Sequence, residues 1–193
     1  MQAYDPLDYE NLARSVVEAL LGGPEQPLPP SEPFEGAGVY AIYYRGDFAP
    51  YSTLLKADPP LPIYVGKAVP TGARKGARRS AAGHELYQRL NQHSKSIDQA
   101  ENVDLDDFTC RYLVVVPVWI TLAERFLVER YKPVWNVAID GFGNHDPGAG
   151  RRGMKRPRWD ILHPGRPWAA KLTAEESFEQ ALQWLQEFLD GRR

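Results

Sequence analysis

The sequence predicts an α+β fold: a small three-stranded antiparallel sheet flanked by helices. Short runs rich in β-branched and aromatic residues lie at 38–44, 61–65 and 108–118, and such runs are typical of strands. Segments with apolar residues at helical spacing surround them. The length of 193 residues fits one compact domain with additions at both ends.

The N-terminal 35 residues predict a helix and an extended arm. Leu12, Val16 and Leu20 form one stripe of a helix over 6–21, which Gly22 and Gly23 end. Residues 22–36 contain five prolines and cannot form a regular helix, because proline lacks the backbone donor. We therefore expect a linker or arm before the first strand.

Residues 36–140 predict the core of the domain. Residues 45–60 form a long hairpin loop between the first two strands, and 67–83 a basic loop that contains glycine. A helix over 85–96 places Leu86 and Leu90 toward the core, and a second over 121–131 ends before a proline.

Residues 141–193 predict a loop-rich region and a last helix. Little periodicity appears over 135–170, a stretch too long to be idle in a compact domain. A helix over 173–189 follows, with apolar residues at helical spacing: Phe178, Ala181, Leu182, Leu185, Phe188 and Leu189.

The net charge of −2 argues at first against a nucleic-acid partner, but the charges are segregated. Residues 1–36 carry a net −6, residues 67–95 a net +6 and residues 145–171 a net +5, while 98–107 hold five acids and no base. Basic blocks of this kind either bind a polyphosphate backbone or form solvated faces.

Composition excludes several classes of protein. The single cysteine, Cys110, forms neither an internal disulfide nor a zinc finger. No apolar run is long enough for a membrane helix, and the N-terminus is acidic where a signal peptide is basic. We expect a cytoplasmic protein with no membrane partner.

Two aromatic triplets frame the first two strands. Gly38–Val39–Tyr40 and Tyr64–Val65–Gly66 would bring two phenols together on antiparallel strands, with Lys67 where the second strand ends. Tyrosine is also a good strand residue for packing alone, so neither residue identifies a site by itself.

Four further polar residues follow in order. Arg89 and His93 are four residues apart on one helix face, where guanidinium suits phosphate and imidazole can transfer a proton; a solvated helix face is the alternative. Glu124 completes a capping box with Thr121, or holds a divalent cation. The Asn136 amide is placed to orient a phosphate or a neighbouring side chain.

Together these residues resemble the GIY-YIG nuclease superfamily over about 36–140, with valine replacing isoleucine in both triplets. Position by position, the resemblance implies that the two tyrosines are Tyr40 and Tyr64 and the helix arginine is Arg89. It makes Glu124 the metal ligand and Asn136 the asparagine.

Glu129 is a rival for Glu124, but the family glutamate lies early in its helix. His93 is similar to the pattern of the type II restriction endonucleases.

The resemblance implies hydrolysis of a DNA phosphodiester with one Mg²⁺ per active site on Glu124. Arg89 would stabilise the added negative charge. Tyr40 is the candidate general base, but a free phenol titrates near pH ~10. It would therefore need Lys67, Arg89 or His93 to lower its pKa or to relay its proton. His93 is the alternative base, and Tyr64 could orient the water in either scheme.

Basic residues outside the core are the candidates for DNA recognition, since arginine reads guanine in the major groove. They are Arg74, Lys75, Arg78, Arg79, Arg151, Arg152, Lys155, Arg156 and Arg158. So many arginines favour a GC-rich palindromic target, and cutting both strands of a palindrome favours a homodimer. The N-terminal helix and arm, and the C-terminal helix, are the candidate dimer contacts.

Three other functions compete with site-specific restriction of double-stranded DNA. Repair or structure-specific nucleases of this superfamily usually carry further domains, and homing endonucleases a long DNA-binding tail. A non-catalytic DNA-binding module on the same fold is the alternative from another class. It is disfavoured because all six site residues, Tyr40, Tyr64, Arg89, His93, Glu124 and Asn136, occur together.

Overall fold

The computed structural model describes residues 7–70, 83–146 and 153–191, and an antiparallel sheet lies at its centre. The strands are β1 (Gln26–Pro27), β2 (Gly38–Tyr44), β3 (Tyr64–Ala68) and β4 (Phe108–Val114), in the order β1-β4-β2-β3. The predicted α+β class and small antiparallel sheet are confirmed. The prediction of three strands is wrong, because the proline-rich arm adds β1, whose two residues pair with Thr109 and Cys110 of β4.

Helices cover both faces of the sheet. They are α1 (Tyr9–Gly22), α2 (Ser52–Leu55), α3 (Glu85–Asp98), α4 (Ile120–Tyr131), α5 (Val134–Val137), α6 (Arg158–Leu162) and α7 (Phe178–Asp190). Leu86 and Leu90 of α3 are fully buried, as the helical spacing predicts.

Strand β2 is buried on both faces, and its alternating side chains enter two separate cores. Tyr40 and Ile42 belong to the core formed with α3, α5, α6 and α7. Val39 and Ala41 belong to the core formed with α1 and α4. Since side chains alternate along a strand, the molecule has three layers, with the sheet in the middle.

Strand β3 begins at Tyr64 and not at Leu61. Of the three residues 61–63 before its start, only Ile63 hydrogen-bonds to β2: its N–H donates to the Ile42 carbonyl at 2.8 Å. The strand runs on to Ala68, so Lys67 lies inside β3, opposite Val39. The sequence-based placement of Lys67 beyond the strand was therefore wrong.

The transition from β4 to α4 also differs from the prediction. Strand β4 ends at Val114, and a 3₁₀ turn over Pro117–Trp119 leads directly into α4 at Ile120. Trp119 is the N-cap residue, and no side chain caps the helix. Because Thr121 lies inside the helix, the predicted capping box with Glu124 does not form.

Two predicted loops contain helical turns. Residues 45–60 hold a 3₁₀ turn and α2, and residues 135–170 hold most of α5 and all of α6. The last helix starts later than predicted, at Phe178, where a true capping box joins Ser177 and Gln180. Within the stretches that the structure describes, no helix combines the length and apolarity needed to cross a membrane.

Candidate active site

The register of β2 and β3 places the two tyrosines on one face of the sheet. Tyr40 lies opposite Gly66, and Tyr64 lies opposite Ile42, so the two rings are diagonal neighbours with centroids 6.2 Å apart. A β-carbon at Gly66 would collide with the Tyr40 hydroxyl. The glycine of the second triplet is therefore required for the first tyrosine to cross β3.

Helix α3 places His93 next to these two phenols. Its Nε2 lies 2.6 Å from the Tyr40 hydroxyl oxygen, and its ring meets the Tyr64 ring edge to face at 5.1 Å. On the other side the imidazole stacks on Phe142 at 4.6 Å. His93 is 1% exposed, so its ring is enclosed and its hydrogen bond to Tyr40 is shielded from solvent.

Burial keeps this pair neutral at rest. It raises the pKa of Tyr40 well above the ordinary value; Tyr64 adds to the rise, and Arg89 opposes it. Burial likewise lowers the pKa of His93 far below its usual range, with the charge of Arg89 acting in the same direction. Since both partners of the hydrogen bond are neutral, the resting pair carries no charge, and a proton that passes from the phenol to the imidazole would create a charged pair only during the reaction.

Arg89 supplies positive charge next to the two phenols. Its guanidinium lowers the pKa of Tyr64, although burial of that phenol dominates and raises it. The same guanidinium donates to the Gln92 amide oxygen at 3.0 Å, to His145 Nε2 at 2.6 Å and to the Gly143 carbonyl at 3.2 Å. It is partly exposed, so a phosphate can reach it.

Lys67 and Glu124 meet on the opposite side of β3. Lys67 points toward α4, as Val39 opposite it does, and its Nζ lies 2.6 Å from a Glu124 carboxylate oxygen. Both side chains are partly exposed, 32% and 26%. The negative charge of Glu124 contributes to the raised pKa of both Tyr40 and Tyr64. The carboxylate therefore interacts electrostatically with the phenols on the other side of β3.

A shallow cleft of about 230 Å³ lies at the edge of the sheet, and Glu85 is among its walls. Lys67 and Arg89 line it together with Gln88 and Gln92. The rival carboxylate, Glu129, bonds instead to Arg125 at 2.8 Å and to the Tyr9 hydroxyl. Of the two carboxylates on α4, Glu124 is therefore the one that contacts a residue of the cleft, Lys67.

Asn136 lies behind β3. Its amide oxygen accepts from the Val65 N–H, and its amide nitrogen donates to the Val65 carbonyl, both at 2.8 Å. The side chain thus replaces a neighbouring strand at one position of the outer edge of β3. Both ends of the amide are engaged in this contact, which holds the strand that carries Tyr64 and Lys67.

Most of the predicted DNA-contacting residues lie outside the described part of the chain: Arg74, Lys75, Arg78, Arg79, Arg151 and Arg152. The other three already make contacts within the protein. Lys155 pairs with Glu175 at 3.2 Å, and Arg156 donates to the carbonyls of Ala169 and Ala170. Arg158 binds both Glu176 oxygens, at 2.7 and 2.6 Å.

Three residues of the site region escaped the sequence analysis. Phe142 stacks on His93, and His145 contacts Arg89. Arg166, counted there in a basic block, is 1% exposed and pairs with buried Asp160 at 2.5 Å. All three lie in the segment 135–170, which has little periodicity, and no motif marks them.

The carboxylate of Glu124, next to Lys67 of the cleft, suits a magnesium ion. Mg²⁺ prefers hard oxygen ligands, and it is usually held by one or two carboxylates, substrate phosphate and retained waters. Glu124 offers one partly exposed carboxylate. A cage of three or more Asp, Glu, His or Cys side chains is not found among residues 7–70, 83–146 and 153–191. The donor set therefore fits a metal that substrate and water help to hold.

Comparison with known proteins places this arrangement in a family. The model of the Eco29kI GIY-YIG domain matches residues 32–189, which is most of the chain and includes every residue of the site. A search of the curated proteins finds no significant match.

Proposed function

We propose that this chain, which belongs to the Eco29kI GIY-YIG domain family of type II restriction endonucleases, is a Mg²⁺-dependent enzyme that cuts double-stranded DNA at a specific site. Membership of the family establishes a nuclease domain of the restriction endonuclease type, with DNA as its substrate class. Site specificity, the metal and the oligomeric state belong to the proposal.

The observation that carries the proposal is the contact of 2.6 Å between the Tyr40 hydroxyl and His93 Nε2, with Arg89 beside it and Glu124 across the edge of β3. Phosphodiester hydrolysis needs a base for water, positive charge on the phosphate and help for the leaving oxygen. This edge of the sheet offers a residue for each task.

Proton transfer follows from the neutral state of the pair. Tyr40 takes a proton from the attacking water as its own proton passes to His93 Nε2, so neither group carries a full charge in advance. A neutral phenol is a poor base alone; the imidazole receives the displaced proton and carries the positive charge after the step. Tyr64, whose ring contacts His93, orients the water.

Arg89 and Glu124 act on the phosphate from the two sides of β3. The guanidinium binds nonbridging oxygens and stabilises the charge added in the transition state. Glu124 would hold the metal, and without it Lys67 balances the charge of the carboxylate. When bound, Mg²⁺ neutralises charge on the phosphate and on the leaving 3′ oxygen.

A carboxylate-to-amide substitution tests this function. Glu124→Gln keeps the size of the side chain and removes its charge, so cleavage of plasmid DNA with Mg²⁺ should fall at least ~100-fold, while DNA binding without metal is retained. Discrete bands from the wild type indicate site-specific cleavage.

Glu129→Gln is the matched control, since it makes the same change on the same helix and should leave cleavage unchanged. Full activity of Glu124→Gln would remove that residue from the mechanism. A wild type that nicks only branched DNA, or cuts none with any divalent metal, would contradict the proposed function.

We further propose a GC-rich palindrome as the target. The arginine-rich segments around residues 74–79 and 151–158 support this, because arginine pairs with guanine through two hydrogen bonds. Mapping of the cleavage products checks it, and an AT-rich site would contradict it.

A homodimer on DNA completes the proposal. An apolar groove of about 380 Å³ runs between α1 and the start of α4, with Val16, Leu122 and Phe126 among its walls. Val116, Val118 and Trp119 next to it are 51% to 75% exposed. We assign this face to a second copy of the chain, because cutting both strands needs two active sites. Sedimentation that finds a monomer both free and on DNA would contradict the assignment.

A further inference from the structure

The loop after α5 touches the catalytic arginine at two points. The Gly143 carbonyl and His145 Nε2 both accept hydrogen bonds from the Arg89 guanidinium, at 3.2 and 2.6 Å. A β-carbon at Gly143 would lie 3.0 Å from the Tyr64 hydroxyl and 3.2 Å from the guanidinium. The loop therefore packs closely on the site, and its own atoms determine where Arg89 points.

The chemistry of this contact sets the form of His145. A guanidinium has donors and no acceptor, and it does not lose its proton. His145 Nε2 must then be the acceptor, which places the imidazole proton on Nδ1. Partial burial, with the charges of Arg89 and Arg166, lowers the pKa of His145, in agreement with a neutral ring.

Arg166 holds the loop in place from beneath. It donates to both oxygens of Asp160, at 2.6 and 2.5 Å, and to the carbonyls of Gly141, Phe142 and Asn144 at 3.0 to 3.1 Å. Trp159 and Trp168 lie 4.4 and 4.7 Å from the guanidinium carbon. A buried arginine with all these partners satisfied gives the loop one defined conformation.

We propose that His145 is a positioning residue for DNA cleavage: its Nε2 orients Arg89 toward the scissile phosphate, and Arg166 fixes the loop that carries it. The inference rests on the proposed function, in which Arg89 stabilises the transition state. Loss of the acceptor leaves the guanidinium present but less well aimed, so the chemical step suffers more than DNA binding. Misplacement by about 1 Å costs on the order of 100-fold in rate.

The test compares His145→Ala with His145→Gln, whose amide oxygen can replace the ring acceptor. The probe is a plasmid cut by the wild type, and the measurements are the single-turnover cleavage rate with Mg²⁺ and the Kd for the same DNA without metal. We expect a loss of about 100-fold in rate for the alanine variant, an unchanged Kd, and a rate within a few-fold of wild type for the glutamine variant.

His84→Ala is the matched control. His84 is an exposed histidine just before α3, bonded to the Phe34 carbonyl at 2.7 Å, and it lies outside the site. Its loss should leave the cleavage rate unchanged. Because His145 is itself exposed, its substitution should not prevent folding.

Two results would overturn the inference: a wild-type rate in His145→Ala, or equal rate losses in the alanine and glutamine variants. A wild type that does not cleave DNA would refute the proposed function, and this inference with it. A cleaving wild type with an insensitive His145→Ala would refute this inference alone.

A spectroscopic readout separates orientation from folding. Long-range ¹H–¹⁵N spectra of the wild type should show His145 in the form protonated on Nδ1. In Arg89→Ala, which removes the donor, the pKa of His145 should rise. A ring protonated on Nε2 in the wild type would contradict the proposed contact.

Discussion

The Tyr40 hydroxyl is the smallest unit on which the proposed chemistry depends. It is fully buried and bonded to His93, and Gly66 gives it room. Tyr40→Phe removes one oxygen atom and leaves the ring. We predict that the single-turnover cleavage rate falls by about 10² to 10⁴-fold, because a positioned proton-transfer group typically accelerates a reaction by that factor.

The same strand offers a control of identical chemistry. Tyr43 points to the opposite face of β2, where its buried hydroxyl has no hydrogen-bond partner among the residues that the structure describes. Tyr43→Phe should leave cleavage unchanged and should not lower the stability, because it removes an unsatisfied polar atom. Equal activity of Tyr40→Phe and Tyr43→Phe would exclude the Tyr40 hydroxyl from the reaction.

At the scale of elements, the contact between α5 and β3 decides whether the site keeps its shape. Asn136 makes two hydrogen bonds of 2.8 Å to the Val65 backbone. Asn136→Ala leaves both backbone groups without a partner. We predict a loss of about 2 kcal/mol in the free energy of unfolding, and faster hydrogen exchange of the Val65 amide.

Hydrogen exchange also separates the two roles considered for Asn136. Lost cleavage with unchanged protection of Val65 would mean that the amide acts on the substrate directly. Asn91→Ala is the control, because the Asn91 amide donates within α3, to the Tyr87 carbonyl. It should leave the exchange of Val65 unchanged.

At the scale of the whole molecule, two buried neutral histidines link stability to pH. Burial lowers the pKa of His93 far below its usual range, and it lowers the pKa of His163 to about 3. Below about pH 6.5 these two histidines bind protons in the unfolded chain but stay neutral in the folded chain. Stability is therefore complete above that pH and falls by about 1.4 kcal/mol per pH unit for each histidine.

Urea unfolding between pH 7 and pH 5 measures this slope. His163 bonds to the Tyr51 hydroxyl at 2.6 Å and to Asn102 at 2.9 Å, and Gln is the closest replacement that does not titrate. His163→Gln should be less stable at pH 7 but should lose stability less steeply on acidification. Parallel curves for the two proteins would show that His163 does not carry the effect.

Local sequence patterns correctly predicted the elements whose structure depends mainly on their own residues. Strand β2 has the predicted bounds, and α3 buries Leu86 and Leu90, because both signals lie in the periodicity of apolar residues. The candidate active site depends on register and on helix packing. The sequence placed Arg89 and His93 on one helix face, but the contact of His93 with Tyr40 joins residues 53 positions apart.

The errors have tertiary causes. Strand β1 has two residues in a proline-rich segment and exists because β4 pairs with it. The capping box at Thr121 fails because the 3₁₀ turn starts the helix at Ile120, with Trp119 as its N-cap. His145 and Arg166 lie in segments without periodicity, and only the folded chain shows that one contacts Arg89 and the other is buried.

The bond between Asn136 and Val65 has a consequence beyond catalysis. An edge strand with free backbone groups invites pairing with a strand of another molecule, which leads to aggregation. Here a single side chain occupies both backbone groups of Val65, so that position of the edge cannot add a second β-strand. The cleft at the end of β3 is open to solvent. A nucleic-acid backbone can therefore approach this edge, although a β-strand of another molecule cannot pair with it at Val65.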